Sequence, residues 1–147
     1  MQPSPAVLQP SAPHDLQLVQ ARAHGTGVSV RQPAAMPDLA PMIHRQRLVI
    51  EGYCEEPISA EAIKAFLSEL SETIDMVALM EPMTHQSPLY GWAGWIHWET
   101  SGAHFYAWDQ PLLFFSVDVY ACKAFDARDA VALAARHFGS EPVWKEF

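Results

Sequence analysis

The chain has 147 residues, about half of them apolar, and a formal net charge of −8. This length fits one domain, and the apolar fraction is enough to form a hydrophobic core. The acidic balance argues against nucleic acid and anionic membrane surfaces as partners, and no apolar run approaches the ~20 residues that span a bilayer. Because Cys54 and Cys122 are too few for a disulfide framework, a reducing cytoplasm is the expected location.

The first part of the sequence is rich in proline, glutamine, serine and alanine. Residues 1–42 hold seven of the 12 prolines and few aromatic residues, so this segment cannot bury enough surface to offset its ordering entropy. We predict a disordered tail over 1–42, in which only 16–23 has the pattern of a short helix. A folded domain is predicted over 43–147.

The folded part opens with strand and helix patterns. The apolar, β-branched run RLVIEGY (47–53) predicts a strand. Ser59 is a candidate N-cap for a helix whose apolar residues recur at spacings of three and four up to Ile74. DMVALME (75–81) is predicted as a second strand, and 82–88 as a loop.

Three consecutive strands are predicted between Tyr90 and Cys122. In the first, GWAGWIHWE, alternation places tryptophans on both faces, so one face is expected to meet something besides the helices, such as a second copy of the chain. Asp126 then caps a second helix that Gly139 ends, and EPVWKEF (141–147) adds an edge strand. The order β-α-β-β-β-β-α-β predicts an α+β two-layer sandwich, with both helices on one face of a mainly antiparallel sheet.

Two groups of side chains between these strands are candidates for chemistry. Ser101 near His104 and Glu99 has the parts of a nucleophilic site, but the local sequence favours a serine that only stabilises the turn. His97, Glu99 and His104, with Asp109 nearby, could form a metal site with two histidines and one carboxylate. The alternative is that these histidines are satisfied by the backbone or by Glu99.

The remaining aromatic residues and Cys122 have structural interpretations. The tryptophans of this region favour core and interface positions, although some could line a pocket for a flat ring or a cation. Cys122 follows a long apolar strand, for which a buried and inert thiol is typical.

Several of these segments together resemble the bacterial S-adenosylmethionine decarboxylase family. The resemblance covers residues 44–147 and includes the opening strand RLVIEGYCEE, Tyr90-Gly91 followed by Gly94, Trp108, and the strand VDVYAC (117–122). By alignment, Ser101 takes the position of the serine in the family's Glu-Ser-His motif. Members of this family cut themselves at that serine to make a pyruvoyl cofactor.

The resemblance implies a role for each matched residue. Ser101 would attack the carbonyl of Thr100, and elimination and hydrolysis would leave a pyruvoyl group whose ketone reacts with the substrate amine and withdraws electrons as CO2 leaves. Cys122 matches the family's proton donor. Side chains expected to shape the pocket for S-adenosylmethionine, or a related amino acid, are Glu51, Tyr53, Trp98, Glu99 and Trp108. A cytoplasmic homodimer serving polyamine biosynthesis is also implied.

The sequence departs from the family at positions that matter for self-cleavage. Glu-Ser-His is replaced by Thr100-Ser101-Gly102, and the family's processing histidine, five residues after the serine, is Tyr106 here. His104, which shares a strand face with Tyr106, is a candidate substitute base. Three hypotheses follow: a self-processing decarboxylase, an unprocessed homologue that binds a nucleoside or polyamine or catalyses another reaction, and the metal site.

Overall fold

The computed structural model describes residues 37–147, and Asp38–Phe147 form one compact unit. The predictions for residues 1–36, including the short helix over 16–23, lie outside the described residues. Within the described range, no helix is long and apolar enough to cross a membrane.

The described residues form an antiparallel six-stranded sheet and two helices, which confirms the predicted α+β sandwich. The strand order across the sheet is β2-β3-β4-β5-β1-β6. In chain order, the elements are β1 (Gln46–Tyr53), α1 (Ala60–Thr73), β2 (Met83–Ser87), β3 (Gly91–Trp98), β4 (Ser101–Trp108), β5 (Phe114–Ala121), α2 (Ala127–Phe138) and β6 (Val143–Glu146).

The second strand is not where the sequence pattern predicted it. Residues 75–81 make only an isolated bridge, between Ala78 and Trp98, whereas β2 lies within the segment predicted as a loop. The apolar run 75–81 was a misleading signal because Val77 and Leu79 are exposed. β2 pairs with β3 alone, so it is an edge strand with exposed and half-buried residues and no clear apolar alternation.

Both helices pack on one face of the sheet, which we call the covered face. Ser59 caps α1 by accepting a hydrogen bond from the amide of Ala62 at 3.1 Å, and Gly139 ends α2 with a left-handed φ of 60°. Alternate residues of the central strands point into this core. Fully buried large side chains from both helices and sheet are Leu48, Ile50, Ile63, Phe66, Leu67, Leu70, Ile96, Phe105, Phe115, Val117, Val119 and Leu133.

The opposite side of the sheet, the open face, carries no helix of the described chain. Residues that alternate with the core positions project there, and many are aromatic or charged. Its strand residues include Arg47, Val49, Glu51, Tyr53, Trp95, His97, His104, Tyr106, Trp108, Phe114, Asp118 and Tyr120. Tyr106 and Tyr120 on this face remain 42% and 41% exposed among the described residues.

Candidate active site

The candidate nucleophile lies at the tightest turn of the sheet. Trp98 and Ser101 are directly opposite each other in the β3–β4 pair, so Glu99 and Thr100 form a two-residue hairpin loop. Ser101 adopts a backbone φ of 120°, in a region that residues other than glycine rarely occupy. Such a conformation costs about 1–3 kcal/mol and persists only where surrounding contacts enforce it.

Contacts from two sides hold this hairpin loop. On one side, the amide of Cys122 donates a hydrogen bond to the carbonyl oxygen of Thr100 at 2.8 Å. On the other, the amide of Glu99 donates to the carbonyl oxygen of Val77 at 3.0 Å, and the Thr100 hydroxyl donates to the sulfur of Met76 at 3.3 Å. The peptide between Thr100 and Ser101 is therefore fixed, with its carbonyl polarised by a backbone N–H.

Cys122 contacts the serine directly. Its Sγ lies 3.4 Å from the Oγ of Ser101, within hydrogen-bonding distance for sulfur. The thiol is exposed, so the expectation that Cys122 is buried was wrong. The reason is that β5 ends at Ala121, so Cys122 lies just beyond the last paired residue.

Arg45, the residue just before β1, forms an ion pair with Asp38. Hydrogen bonding and charge attraction from Asp38 raise the pKa of Arg45, and smaller contributions come from Tyr120 and Cys122.

A cavity of about 470 Å³ opens beside Ser101 on the open face. Gly102 pairs with His97 on β3 and with Tyr120 on β5. Because Gly102 has no side chain, the space between those two side chains is open. A Cβ on residue 102 would lie 2.5 Å from the carbonyl oxygen of Ile96, so only glycine fits there. The residues lining this cavity are Arg47, His97, Ser101, Gly102, His104, Asp118 and Tyr120.

An ion pair forms one wall of the cavity. The Nε and Nη2 atoms of Arg47 donate to the two carboxylate oxygens of Asp118 at 2.9 and 2.7 Å. This two-point hydrogen bonding raises the pKa of Arg47. Because β1 and β5 hold the pair across adjacent strands, its planar geometry fixes the shape of that wall.

The other predicted catalytic residues lie on the same face at different distances. His104 lines the cavity with Ser101, and it shares the open face with Tyr106, as alternation predicted. Tyr106 is five residues along β4 from Ser101, or about 17 Å at 3.3 Å per residue. Tyr106 therefore cannot contact Ser101 of its own chain.

The residues predicted to bind substrate are dispersed. Tyr53 and Trp108 line an aromatic pocket of about 280 Å³ at the opposite end of the open face, seven residues along β4 from Ser101. Glu51 lies nearer that end as well, in the row of Tyr106. Glu99 is exposed in the hairpin loop next to Ser101.

Trp98 was predicted to contact substrate, but the structure buries it in the core. Its side chain is 2% exposed on the covered face, and its indole Nε1 donates to the Oγ of the buried Ser71 at 2.7 Å. Trp98 is thus a core residue that anchors the end of β3 immediately before the hairpin loop.

The predicted metal site is not assembled. The rings of His97 and His104 are near each other, with centroids 6.4 Å apart. Glu99, however, is in the hairpin loop rather than on their strand face, and Asp109 lies beyond the far end of β4. Among residues 37–147, no group of three histidine, cysteine, aspartate or glutamate side chains is placed to hold a metal ion.

Sequence reasoning missed three parts of this site. These are the Arg47–Asp118 pair, the position of His97 opposite Gly102, and the support that residues 76–79 give to the hairpin loop. Alternation indicated that His97 faces away from Trp98 and Ile96. The partners across the strands depend on register, which the local pattern does not specify.

The fold and the site together define a two-layer α+β protein, with a strained serine and a free thiol at one end of the sheet face that carries no helix among residues 37–147. The sequence model of the S-adenosylmethionine decarboxylase family matches residues 47–145. The chain therefore belongs to the S-adenosylmethionine decarboxylase family.

A solved structure supports the same fold. The chain is similar to the crystal structure of the adenosylmethionine decarboxylase from Aquifex aeolicus VF5, with a TM-score of 0.59 and 15% sequence identity. The match covers 71% of this chain and 89% of that chain. A search of curated proteins gives no significant match.

Proposed function

We propose that this chain cuts itself between Thr100 and Ser101, converts Ser101 into a pyruvoyl group, and then decarboxylates S-adenosylmethionine or a related amino acid for polyamine biosynthesis in the cytoplasm. The observation that carries this proposal is the state of Ser101. It combines a φ of 120°, a fixed preceding carbonyl and a thiol 3.4 Å from its hydroxyl.

The hairpin loop suits the first step, an attack of the Ser101 hydroxyl on the Thr100 carbonyl carbon. The hydrogen bond from the Cys122 amide stabilises charge that develops on the carbonyl oxygen. Breaking the peptide bond releases the strained φ of Ser101, which lowers the cost of converting an amide into an ester.

The surroundings of Ser101 also fit the pyruvoyl group that would replace it. When present, this group supplies an electron sink for loss of CO2 from an amino acid. The open space over Gly102 gives a substrate access from the cavity. Cys122, exposed and next to the same position, is the residue that would donate the proton that replaces CO2.

We further propose that the protein is a homodimer whose open faces meet. Aromatic side chains left exposed on a sheet face are typical of an interface. A twofold axis running across the strands would place the Tyr106 and Trp108 end of one sheet over the Ser101 end of the other. Tyr53, Glu51 and Tyr106 would then act on Ser101 of the opposite subunit, which removes the ~17 Å separation within one chain.

Intact mass spectrometry under denaturing conditions tests self-cleavage. The expected result is two fragments, Met1–Thr100 and a pyruvoyl-blocked fragment derived from 101–147, in the wild type and in the exposed α1 control Ser68→Ala. Ser101→Ala should give a single chain of 147 residues. A single uncut chain in the wild type would refute the pyruvoyl mechanism and favour a homologue that binds a nucleoside or polyamine.

Release of CO2 from carboxyl-labelled S-adenosylmethionine tests the activity separately. The processed wild type should release label, and Cys122→Ala should release it more slowly with the chain still able to bind substrate. A cleaved protein that releases no label from this substrate would leave related amino acids as the substrate class.

A further inference from the structure

We propose that His97 is the base that removes the Cα proton of Ser101 during self-cleavage. This inference rests on the proposed function, because it concerns a step of the same reaction. His97 lies on β3 directly opposite Gly102, the residue that follows Ser101. Its Nδ1 is 3.4 Å from the point where a Cβ of residue 102 would be, so the imidazole lies against the backbone next to the serine.

The missing side chain at Gly102 is what brings the imidazole close. The carbonyl oxygen of Ile96 would clash with any Cβ at this position, and the vacant space belongs to the cavity that Ser101 also lines. His97 is exposed in this chain and lines that cavity. The register thus places one imidazole against Gly102, the residue next to Ser101.

The other groups around the cavity are less suited to this role. His104 is three residues along β4 from Ser101, or about 10 Å, and contacts the His97 ring edge-on instead. Asp118 already accepts two hydrogen bonds from Arg47, and the guanidinium itself has no free lone pair. Tyr120 flanks Gly102 from the other strand and carries no imidazole.

The step balances without any external oxidant or reductant. After the acyl shift, the Thr100 carbonyl carbon is bonded to the Ser101 oxygen and the Ser101 nitrogen is a free amine. His97 takes the Cα proton, the Cα–Cβ double bond forms, and the Cβ–O bond breaks to release Thr100 as a carboxylate. His97 then returns a proton to Cβ, and water adds to Cα. Ammonia is released, and a ketone remains at Cα.

The test is a time course of fragment formation by intact mass spectrometry in four proteins. These are the wild type, His97→Ala, His104→Ala and His85→Ala, the last being a histidine on β2 outside the cavity. We expect His97→Ala to slow cleavage at least 100-fold, as is typical for loss of general base catalysis, and His85→Ala to match the wild type. His104→Ala should lose much less than His97→Ala.

Two further measurements separate proton transfer from a structural effect. Hydroxylamine should cut the stalled His97→Ala protein after Thr100, because the ester accumulates when elimination is blocked. Added imidazole should restore fragment formation. His97→Gln, which keeps a polar side chain of similar reach, should show the same loss with an unchanged thermal unfolding midpoint.

Several outcomes would overturn the assignment. Cleavage of His97→Ala within threefold of the wild-type rate would exclude His97 as the base, with the proposed function intact. An equal or larger loss in His104→Ala would transfer the role to His104, and a loss in His97→Ala without ester or imidazole rescue would make His97 a positioning residue. An uncut wild type would instead refute self-cleavage itself.

Discussion

The two faces of the sheet use the same strands for opposite purposes. On β4, Phe105 is fully buried against the helices, whereas its neighbour Tyr106 is 42% exposed on the open face. The large buried side chains of the covered face are apolar, while the open face carries the Arg47–Asp118 pair and two histidines. Packing on one side thus holds strands whose other side can accommodate charged and reactive groups.

The difference between the covered face and the open face explains how the strained backbone of Ser101 persists. Trp98 is fixed in the core by Ser71, and the next residues form the hairpin loop from which Ser101 projects. Burial of one large side chain supplies about 1.5–3 kcal/mol, comparable to the cost of the unusual φ. The covered face therefore offsets the strain present at the end of the open face.

The largest effect is expected from a change on the covered face. Phe105→Ala should lower the free energy of unfolding by about 3–5 kcal/mol, because it leaves a cavity among Phe66, Phe115 and Phe138. Urea denaturation followed by tryptophan fluorescence measures the change. Tyr106→Ala, the adjacent open-face substitution, should cost far less in the monomer; equal losses at the two positions would break the distinction between the faces.

A charge on the open face tests whether that face is an interface. Trp95→Glu should weaken dimerisation at least tenfold, or about 1.4 kcal/mol, because a carboxylate would be buried without a partner. Sedimentation over a range of concentrations gives the dissociation constant. Lys64→Glu on the exposed side of α1 changes charge in the same direction and should have no effect; a wild type that stays monomeric would refute the proposed homodimer.

A loss of stability smaller than that of Phe105→Ala is expected at the glycine beneath the cavity. Gly102→Ala should lower the free energy of unfolding by about 1–3 kcal/mol, because the added Cβ must displace the Ile96 carbonyl and press on His97. Self-cleavage should slow as well, since the β3–β4 register beside Ser101 is disturbed. Gly139→Ala, where no atom lies within 4 Å of the new Cβ, controls for the general effect of replacing glycine, with a φ of 60° as its only strain.

The smallest effect is expected at the first helix cap. Ser59→Ala should lower the free energy of unfolding by about 1 kcal/mol, because the Ala62 amide loses its acceptor. Self-cleavage should be unchanged, since α1 packs on the covered face. Ser68→Ala, at an exposed position within the helix, should be neutral or slightly stabilising in the same denaturation experiment.

The sequence predicted most of the elements because their signals are local. The alternation in GWAGWIHWE predicted β3, Ser59 and Asp126 identified the helix starts, and Gly139 identified the end of α2. The edge strand β2 was missed because its residues are mostly exposed and carry no strong pattern. The apolar run over 75–81 lies instead beside the hairpin loop.

The candidate site was predictable in part. The resemblance identified Ser101 and Cys122, and the structure brings their side chains within 3.4 Å of each other. The exposure of Cys122 and the burial of Trp98 were not predictable from local sequence. Both depend on where β5 ends and on which side of β3 the helices pack.

The sequence by itself determined the elements other than β2, the residues that share a strand face, and membership of a decarboxylase family. Only the tertiary structure decided that His97 lies opposite Gly102, that Arg47 pairs with Asp118, and that residues 37–147 place no helix on one face of the sheet. The physical reason is that alternation is a property of one strand. Contacts between strands distant in sequence depend on register, and register is set by how the whole core packs.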